Sequence, residues 1–328
     1  MSEEIMVSVI CTVYNHEKYL RKCLDGFVMQ KTNFKFEVLI HDDASTDGSA
    51  DIIREYEKKY PDIIKPIYQT VNQYSQGIKV SQTYLYPRAK GKYLAFCEGD
   101  DYWCDENKLQ NQFDVMEKHP SCSICVHDVY DITESNDLIG TKHPVQIKNK
   151  RLFNMDEYLD YIFDGAFHPF QTSSYFLKRN IVESDLYKSL NLSPVGDVRI
   201  VFTSLALGDL YYINKGMSYY RTNSIGSWSN RVTTDNELWK KHQWGLVHFL
   251  DGFNSCTNYK FSQKIYKVKT KKMYYLYFLD DDYRACLNFN NLNYFSSLSL
   301  KEKIWIILNA YFPHIMKLYK KSKDKNNA

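Results

Sequence analysis

Apolar residues in the first hundred positions fall into short runs that alternate with amphipathic stretches. The runs at residues 6–12, 36–40, 63–68 and 92–97 are rich in β-branched, aromatic and small apolar side chains, which is typical of buried strands. Apolar positions recur every three or four residues at 17–30, as in an amphipathic helix, and weaker helical patterns follow at 52–56 and 79–89. Strands alternating with helices predict parallel βαβ units. We therefore expect an open, mainly parallel α/β sheet flanked by helices.

Beyond residue 230 the pattern becomes helical and aromatic, so we expect a domain at 1–230 and a C-terminal helical extension at 231–328. Residues 273–279 are apolar nearly all round, which indicates burial. The last predicted helix begins at a capping box of Ser299 and Glu302, and seven Lys follow from residue 301 onward. Apolar residues beside lysines are typical of a helix in an anionic membrane surface. A helix packed on the main domain, with a solvated basic tail, is the alternative.

Composition narrows the class of protein. The 328 residues are 44% hydrophobic and 25% charged, and the net charge of +3 argues against a nucleic-acid binder driven by overall charge. The acidic N-terminus lacks the basic start and long apolar region of a signal peptide. No stretch reaches the ~18 apolar residues of a membrane span. We expect a cytoplasmic protein with no nucleic-acid partner.

Three carboxylates, those of Glu98, Asp100 and Asp101, follow the predicted strand at 92–97. Hard divalent cations take one or two carboxylate ligands and keep further positions for water and substrate phosphates. Open parallel sheets place their ligands beyond the carboxyl ends of the strands. These residues predict a metal-assisted site for a nucleotide diphosphate. The alternative is an acidic connection in which Asp101 or Asp105 only caps the next helix.

The loops after the first two predicted strands carry side chains suited to a nucleotide. Thr12, Tyr14 and Asn15 follow the first strand, and Asp43 follows the second. The Tyr14 ring can pack against a base, and the Asp43 carboxylate can accept hydrogen bonds from a base or ribose. Other nucleotide folds fit poorly, because the chain has neither GxGxxG after the first strand nor GxxxxGK[ST].

The chain resembles family 2 glycosyltransferases of the GT-A fold in the segments VSVICTVYNHEKYL, HDDASTDGS and KGKYLAFCEGDDYWCDENKLQNQFDVMEKHP. The likeness is to the bacterial branch with an EGDDYW form of the DxD motif, and it covers about the first 230 residues. The resemblance implies that Thr12, Tyr14 and Asp43 contact the nucleobase, usually uracil. It also implies that Asp197 is the catalytic base of an inverting transfer.

In that family the EGDD carboxylates bind ribose and a diphosphate bridged by Mn²⁺ or Mg²⁺. The resemblance therefore assigns Glu98 and Asp100 to the nucleotide, and Asp100 and Asp101 to the metal. Asn15 is a further candidate nucleotide contact because it lies in the first of the three polar loops. The family branch often has His at the position of Asn223, where it can meet the metal or diphosphate. Asn223 is a weaker candidate ligand.

Inverting transfer needs a carboxylate opposite the leaving group to take the proton of the acceptor hydroxyl. Asp197 lies between a turn at 192–196 and a predicted helix at 198–206, so helix capping is its alternative role. Sugar or acceptor contacts are expected from Gln171, Thr172, Ser173, Trp103 and Arg221. Arg221 lies beside tyrosines, where packing is the alternative.

We therefore predict an inverting, metal-dependent glycosyltransferase that moves a sugar from a nucleotide donor, expected to be a UDP-sugar, to a hydroxyl. The expected acceptor is a bacterial surface polysaccharide or its lipid-linked precursor. The alternatives are a non-catalytic nucleotide-sugar-binding or scaffold protein of the same fold, and a nucleotidyltransferase. The absence of a glycine-rich basic loop disfavours the last of these.

Overall fold

The computed structural model of the protein describes residues 4–145, 147, 150–190, 196–222, 228–288 and 291–317. Within them the strands are β1 (Ile5–Val13), β2 (Lys35–Asp42), β3 (Ile64–Tyr68), β4 (Tyr93–Phe96), β5 (Tyr102–Trp103), β6 (Cys122–Ile132), β7 (Leu138–His143), β8 (Leu152–Phe153), β9 (Phe176–Lys178) and β10 (Asp209–Arg221). The α-helices are α1 (Glu17–Val28), α2 (Ser49–Lys59), α3 (Lys108–Lys118), α4 (Met155–Asp164), α5 (Asn180–Glu183), α6 (Asp185–Ser189), α7 (Gly196–Leu207), α8 (Trp228–Thr234), α9 (Asn236–Cys256), α10 (Ser262–Leu279), α11 (Tyr283–Cys286), α12 (Leu292–Ser297) and α13 (Leu300–Tyr311).

The predicted α/β sheet is confirmed, and β1 to β4 occupy the four predicted apolar runs. The strand order is β3-β2-β1-β4-β9-β6-β10-β5, with β7 paired to β6 and β8 to β10. The first four strands run parallel, β6 and β10 are parallel to each other, and β9 is antiparallel to both β4 and β6. The helical pattern at 79–89 forms a π-helical turn and a 3-10 turn instead of one α-helix. Pro87 contributes, because a proline cannot donate a backbone hydrogen bond inside a helix.

The parallel strands are buried on both faces, as their nearly continuous apolar sequence requires. Successive residues of a strand point to opposite faces, and in β1 Val9 and Cys11 join one buried cluster while Ile10 joins another. The helix α1 covers the first face with Leu20, Phe27 and neighbouring apolar residues. This two-sided burial fixes where the strands end, and so where their loops meet.

The C-terminal helices add to the core on the second face. Side chains of α9 and α10, among them Phe249 and Ile265, belong to the same buried cluster as Ile10 of β1. The large core therefore includes residues on both sides of position 230, and the predicted domain boundary there stays a prediction. The prediction that residues 273–279 are buried is wrong in part, since Tyr275 is exposed while Leu276 is buried.

The capping box at the start of α13 is confirmed: the Ser299 hydroxyl accepts the Glu302 N–H, and the Glu302 carboxylate accepts the Ser299 N–H. The buried residues of α13 include Ile306 and Ala310. Another face of the helix carries an exposed apolar stripe of Leu300, Ile304, Ile307 and Tyr311. Among the described residues, no helix is both long enough and apolar enough to cross a bilayer.

Candidate active site

The loops after β1, β2 and β4 meet at the carboxyl edge of the sheet. Because β1 lies between β2 and β4, backbone hydrogen bonds continue past the strand ends: the Asp43 N–H donates to Val13 O at 2.9 Å, and the Gly99 N–H to Thr12 O at 3.0 Å. A Cβ at Gly99 would lie 2.7 Å from Nδ1 of His16, so this close approach requires glycine. The three polar loops therefore form one surface, as the sequence predicts.

A cavity of about 820 Å³ opens at this edge. Five of the predicted nucleotide-binding residues line it: Thr12, Tyr14, Asp43, Glu98 and Asp100. The Asp43 carboxylate already accepts the N–H groups of Gln73 and Tyr74, at 2.8 and 2.9 Å, and so holds the segment that forms one wall. The Tyr14 ring, by contrast, is 45% exposed and available to a ligand.

Asn15 is the exception among the predicted nucleotide contacts, since it is not among the described residues that line the cavity. It adopts a left-handed conformation (φ 57°), which asparagine tolerates better than most residues. Its side-chain oxygen accepts the Thr46 N–H at 2.7 Å, and its own N–H donates to the Ser45 hydroxyl. Asn15 therefore joins the first two loops instead of facing the cavity.

The carboxylates after β4 repel one another. Enclosure in the cleft, followed by the charges of Asp100 and Asp197, raises the pKa of Glu98 to about 8. The Glu98 side chain remains accessible to solvent in the cleft. A bound cation would offset the repulsion between the carboxylates, and so would lower the pKa of Glu98 again. Burial, followed by the charge of Asp100, raises the pKa of Asp101 well above its usual value.

Asp101 is buried and anchors the end of β10. Its Oδ1 accepts the backbone N–H of Arg221 at 2.8 Å, and it neither lines the cavity nor caps α3. The Arg221 guanidinium donates to the carbonyls of Asp100, Thr133 and Glu134, and it stacks on a tyrosine ring. With these donors engaged and the residue 1% exposed, Arg221 fits packing and not contact with a sugar.

Two other predicted sugar contacts are buried. The Trp103 indole N–H donates to the carbonyl of Ser173 at 3.1 Å, and the Ser173 hydroxyl bonds that of Ser218 at 3.0 Å. These two residues therefore do not fit contact with a sugar in this structure, because they close the interior behind the cavity. Gln171 and Thr172 are half-buried and do not line the cavity. Asn223 and the turn at 192–195 lie outside the described residues.

Asp197 lies in the first turn of α7; it does not itself line the cavity, whereas its neighbour Gly196 does. Its Oδ1 accepts the Val198 N–H at 2.7 Å, and its Oδ2 lies 2.9 Å from Nε2 of His168. Burial alone would raise the pKa of Asp197. The charge and hydrogen bond of His168, together with the Val198 N–H, outweigh that effect, and the pKa falls below its usual value. The charge of this ionised carboxylate contributes to raising the pKa of Glu98.

The sequence model of glycosyl transferase family 2 matches residues 8–180. The chain belongs to glycosyl transferase family 2. An uncharacterised protein of Mycobacterium tuberculosis is 32% identical over 245 residues, which cover 75% of this chain and 67% of that protein. A putative teichuronic acid biosynthesis glycosyltransferase of Bacillus subtilis, TuaG, is 34% identical over 34% of this chain and 42% of its own length.

Solved structures share the fold of this glycosyltransferase. TarS of Staphylococcus aureus, residues 1–349 in complex with UDP-GlcNAc, aligns with a TM-score of 0.61 over 93% of this chain and 79% of that chain, at 16% identity. A mannosyltransferase of Pyrobaculum calidifontis, in complex with GDP-Man and Mn²⁺, aligns with a TM-score of 0.53 over 96% and 83% of the two chains, at 14% identity. The predicted GT-A fold with a helical C-terminal part is thus confirmed.

Three cationic residues that sequence reasoning missed also line the cavity of this glycosyltransferase: Lys79, Arg199 and Arg231. They come from segments far apart in the chain, so no local spacing pointed to them. Arg199 is almost fully buried, with its guanidinium 3.8 Å from the ring centroid of Tyr187. The cavity is therefore lined by positive side chains as well as by Glu98 and the other carboxylates, and this mixed charge suits a charged ligand.

The carboxylates of the glycosyltransferase fit a divalent cation only in part. Within the described ranges, no three side chains of His, Cys, Asp or Glu form a group that could hold a metal by themselves. Glu98 and Asp100 do face the cavity together, and Mg²⁺-type sites commonly use one or two carboxylates completed by water and substrate phosphates. The donor set therefore suits a cation that arrives with a diphosphate.

Proposed function

We propose that this glycosyltransferase transfers a sugar from a UDP-sugar to a hydroxyl of a bacterial surface polysaccharide or its lipid-linked precursor. The transfer would invert the anomeric configuration and would depend on Mn²⁺ or Mg²⁺. The observation that carries the proposal is the position of Asp197, an ionised carboxylate next to a cavity bordered by Glu98 and Asp100. The relatives support the substrate class, since the name of TuaG refers to teichuronic acid and TarS binds UDP-GlcNAc.

The proposed chemistry divides the cavity in two. On the donor side, Tyr14 packs on the base, and Asp100 with Glu98 would hold a divalent cation. Such a cation, when bound, offsets the negative charge that develops on the departing diphosphate. On the acceptor side, Asp197 takes the proton of the attacking hydroxyl, and its lowered pKa keeps it ionised through the neutral range.

Binding of the free nucleotides UDP, GDP, ADP and CMP, measured by calorimetry with Mn²⁺, tests the donor assignment. We expect UDP to bind most tightly. The fold alone does not fix the base, since a structure of the same fold holds GDP-Man. Tightest binding of another nucleotide would contradict the uracil assignment while leaving the rest of the proposal in place.

Replacing Tyr14 by Ala should raise the Kd for UDP about tenfold, because base–aromatic stacking contributes roughly 1–3 kcal/mol. Tyr14→Phe is the matched control and should bind UDP almost as wild type. Equal UDP affinity in the Ala variant would remove Tyr14 from the nucleotide site.

The two alternatives make different predictions for the same protein. A non-catalytic binding protein would bind a nucleotide sugar without consuming it, and the ionised Asp197 beside the cavity favours catalysis over that alternative. A nucleotidyltransferase would release pyrophosphate from a nucleoside triphosphate. Assays for release of UDP and of pyrophosphate therefore separate the three.

We further propose that the protein works in the cytoplasm, on the inner face of the membrane, where a lipid-linked acceptor would lie. The support is the exposed stripe of α13, namely Leu300, Ile304, Ile307 and Tyr311, beside Lys301 and the lysines that follow it in the sequence. An apolar stripe bordered by lysines complements an anionic lipid surface in both hydrophobicity and charge.

Vesicle sedimentation tests this membrane contact. Wild-type protein should sediment with anionic vesicles and less so as salt is added, because salt screens the surface attraction. Changing both Ile304 and Ile307 to Ser should reduce sedimentation strongly without affecting UDP binding, since both side chains are exposed. The matched control changes the exposed pair Leu138 and Ile139 of β7 to Ser and should sediment normally. Wild-type protein that ignores anionic vesicles would contradict the proposal.

A further inference from the structure

His168 contacts the proposed base, and nothing in the sequence motifs assigns it a role. It lies ahead of β9 in the chain, while Asp197 begins α7, and the fold brings Nε2 of His168 to 2.9 Å from Oδ2 of Asp197. Both side chains are about a quarter exposed, at 24% and 26%. The pair is therefore sheltered yet reachable from solvent, as a base and its support need to be.

The hydrogen-bond network fixes which ring nitrogen carries the hydrogen. The Tyr175 hydroxyl donates to the carbonyl of Phe170 at 3.1 Å, so its oxygen can only accept from Nε2 of His168, 3.2 Å away. The other neighbour of Nε2 is the Asp197 carboxylate, which also accepts. With acceptors on both sides, Nε2 carries the hydrogen and donates to Asp197.

We propose that His168 is a positioning residue that holds the Asp197 carboxylate in one orientation through the contact of its Nε2 with Oδ2. The inference rests on the proposed function, in which Asp197 is the base. Without the His168 contact, burial would act with less opposition and would raise the pKa of Asp197.

The other titratable groups that act on this pair lie on several elements: Glu98 after β4, Tyr158 on α4, Tyr175 before β9 and His242 on α9. Lys272 of α10 acts in turn on His242. Burial raises the pKa of both tyrosines, which stay neutral. Burial lowers the pKa of His242, which favours its neutral form, and lowers that of Lys272 to about 8. Glu98 and His242 also titrate within the range of a pH profile, so a shift of the acid limb is assigned to Asp197 only by direct titration of its carboxyl carbon.

The test is the pH dependence of kcat/KM for sugar transfer in His168→Leu. Loss of the donated hydrogen bond should raise the pKa of Asp197, so the acid limb should move up by about one pH unit and the rate at its low-pH end should fall about tenfold. His168→Gln keeps an N–H near the position of Nε2 and should restore most of the wild-type acid limb. His168→Asn, too short to reach Oδ2, should behave as the Leu variant and serves if that variant fails to fold.

A second His–carboxylate pair provides the control. His143 lies 3.0 Å from Asp131 outside the cavity, so His143→Leu should leave the acid limb unchanged. A uniform loss of rate in His168→Leu, with an unshifted acid limb, would show that the ring only packs, and it would overturn the inference without affecting the proposed transfer.

A titration of the Asp197 carboxyl carbon by NMR measures the same pKa without turnover. We expect a higher pKa in His168→Leu than in wild type, and equal values would overturn the inference. Because this measurement needs no substrate, failure of the protein to transfer any sugar would count against the proposed function alone.

Discussion

Asp197→Asn should lower the rate of sugar transfer by about 10² or more while leaving UDP-sugar affinity within a few fold of wild type. Asn matches the size of Asp and can still accept the Val198 N–H, so the start of α7 should be preserved. What it cannot do is accept the proton of the acceptor hydroxyl. Steady-state rates and equilibrium binding on the same preparation separate the two effects.

The matched control is Asp185→Asn, another carboxylate in the first turn of a helix, exposed and outside the cavity. It should transfer sugar at the wild-type rate. If Asp197→Asn also transfers at that rate, Asp197 is not the base, and its role reduces to the hydrogen bonds with Val198 and His168. A carboxylate such as Asp128 would then need testing, although Tyr212 and Lys142 already bind its oxygens.

Asp100→Asn should abolish the metal-dependent part of UDP binding. A ligand stabilises only the folded state that binds it, by about 2.7 kcal/mol when present at 100 times its Kd. In wild type, UDP with Mn²⁺ should therefore raise the melting temperature clearly more than UDP with a chelator. In the variant the two shifts should be equal, because one of the two carboxylates proposed to hold the cation is gone.

Asp51→Asn, on the exposed first turn of α2, is the control and should keep the full Mn²⁺ effect. Asp101 is a poorer probe of the metal, since it is buried and its Oδ1 holds the backbone of Arg221. A change there would combine any effect on the cation with damage to the fold. A metal-dependent UDP shift that survives in Asp100→Asn would contradict the assignment of Asp100.

The parts of the site that lie on strand ends could be predicted from the sequence. The apolar runs define β1, β2 and β4, and parallel pairing brings their ends to one edge, so Tyr14, Asp43 and Asp100 were expected near one another. Local rules also gave the capping box at Ser299 and the acidic first turn of α7 at Asp197.

Contacts between distant segments could not be predicted. The burial of Trp103 depends on the pairing of β5 with β10 and on the carbonyl of Ser173, which local periodicity does not specify. The hydrogen bond from the Arg221 guanidinium to the carbonyl of Thr133 also joins segments far apart in the chain, so local periodicity does not specify it either. Pairing of His168 with Asp197 likewise follows from loop positions, and no spacing rule relates the two.

The central claim is that the protein transfers a sugar from a nucleotide. The most direct test incubates the full chain with UDP-, GDP-, ADP- and CMP-linked sugars, with Mn²⁺ or chelator, in the presence of a polysaccharide or lipid-linked acceptor fraction, and measures nucleotide release and the anomeric configuration of the product. We expect release of UDP from one UDP-sugar, dependent on Mn²⁺ and lower by about 10² or more in Asp197→Asn, with inverted configuration. Tight binding of a nucleotide sugar with no release under any of these conditions would contradict the account and identify a binding protein instead.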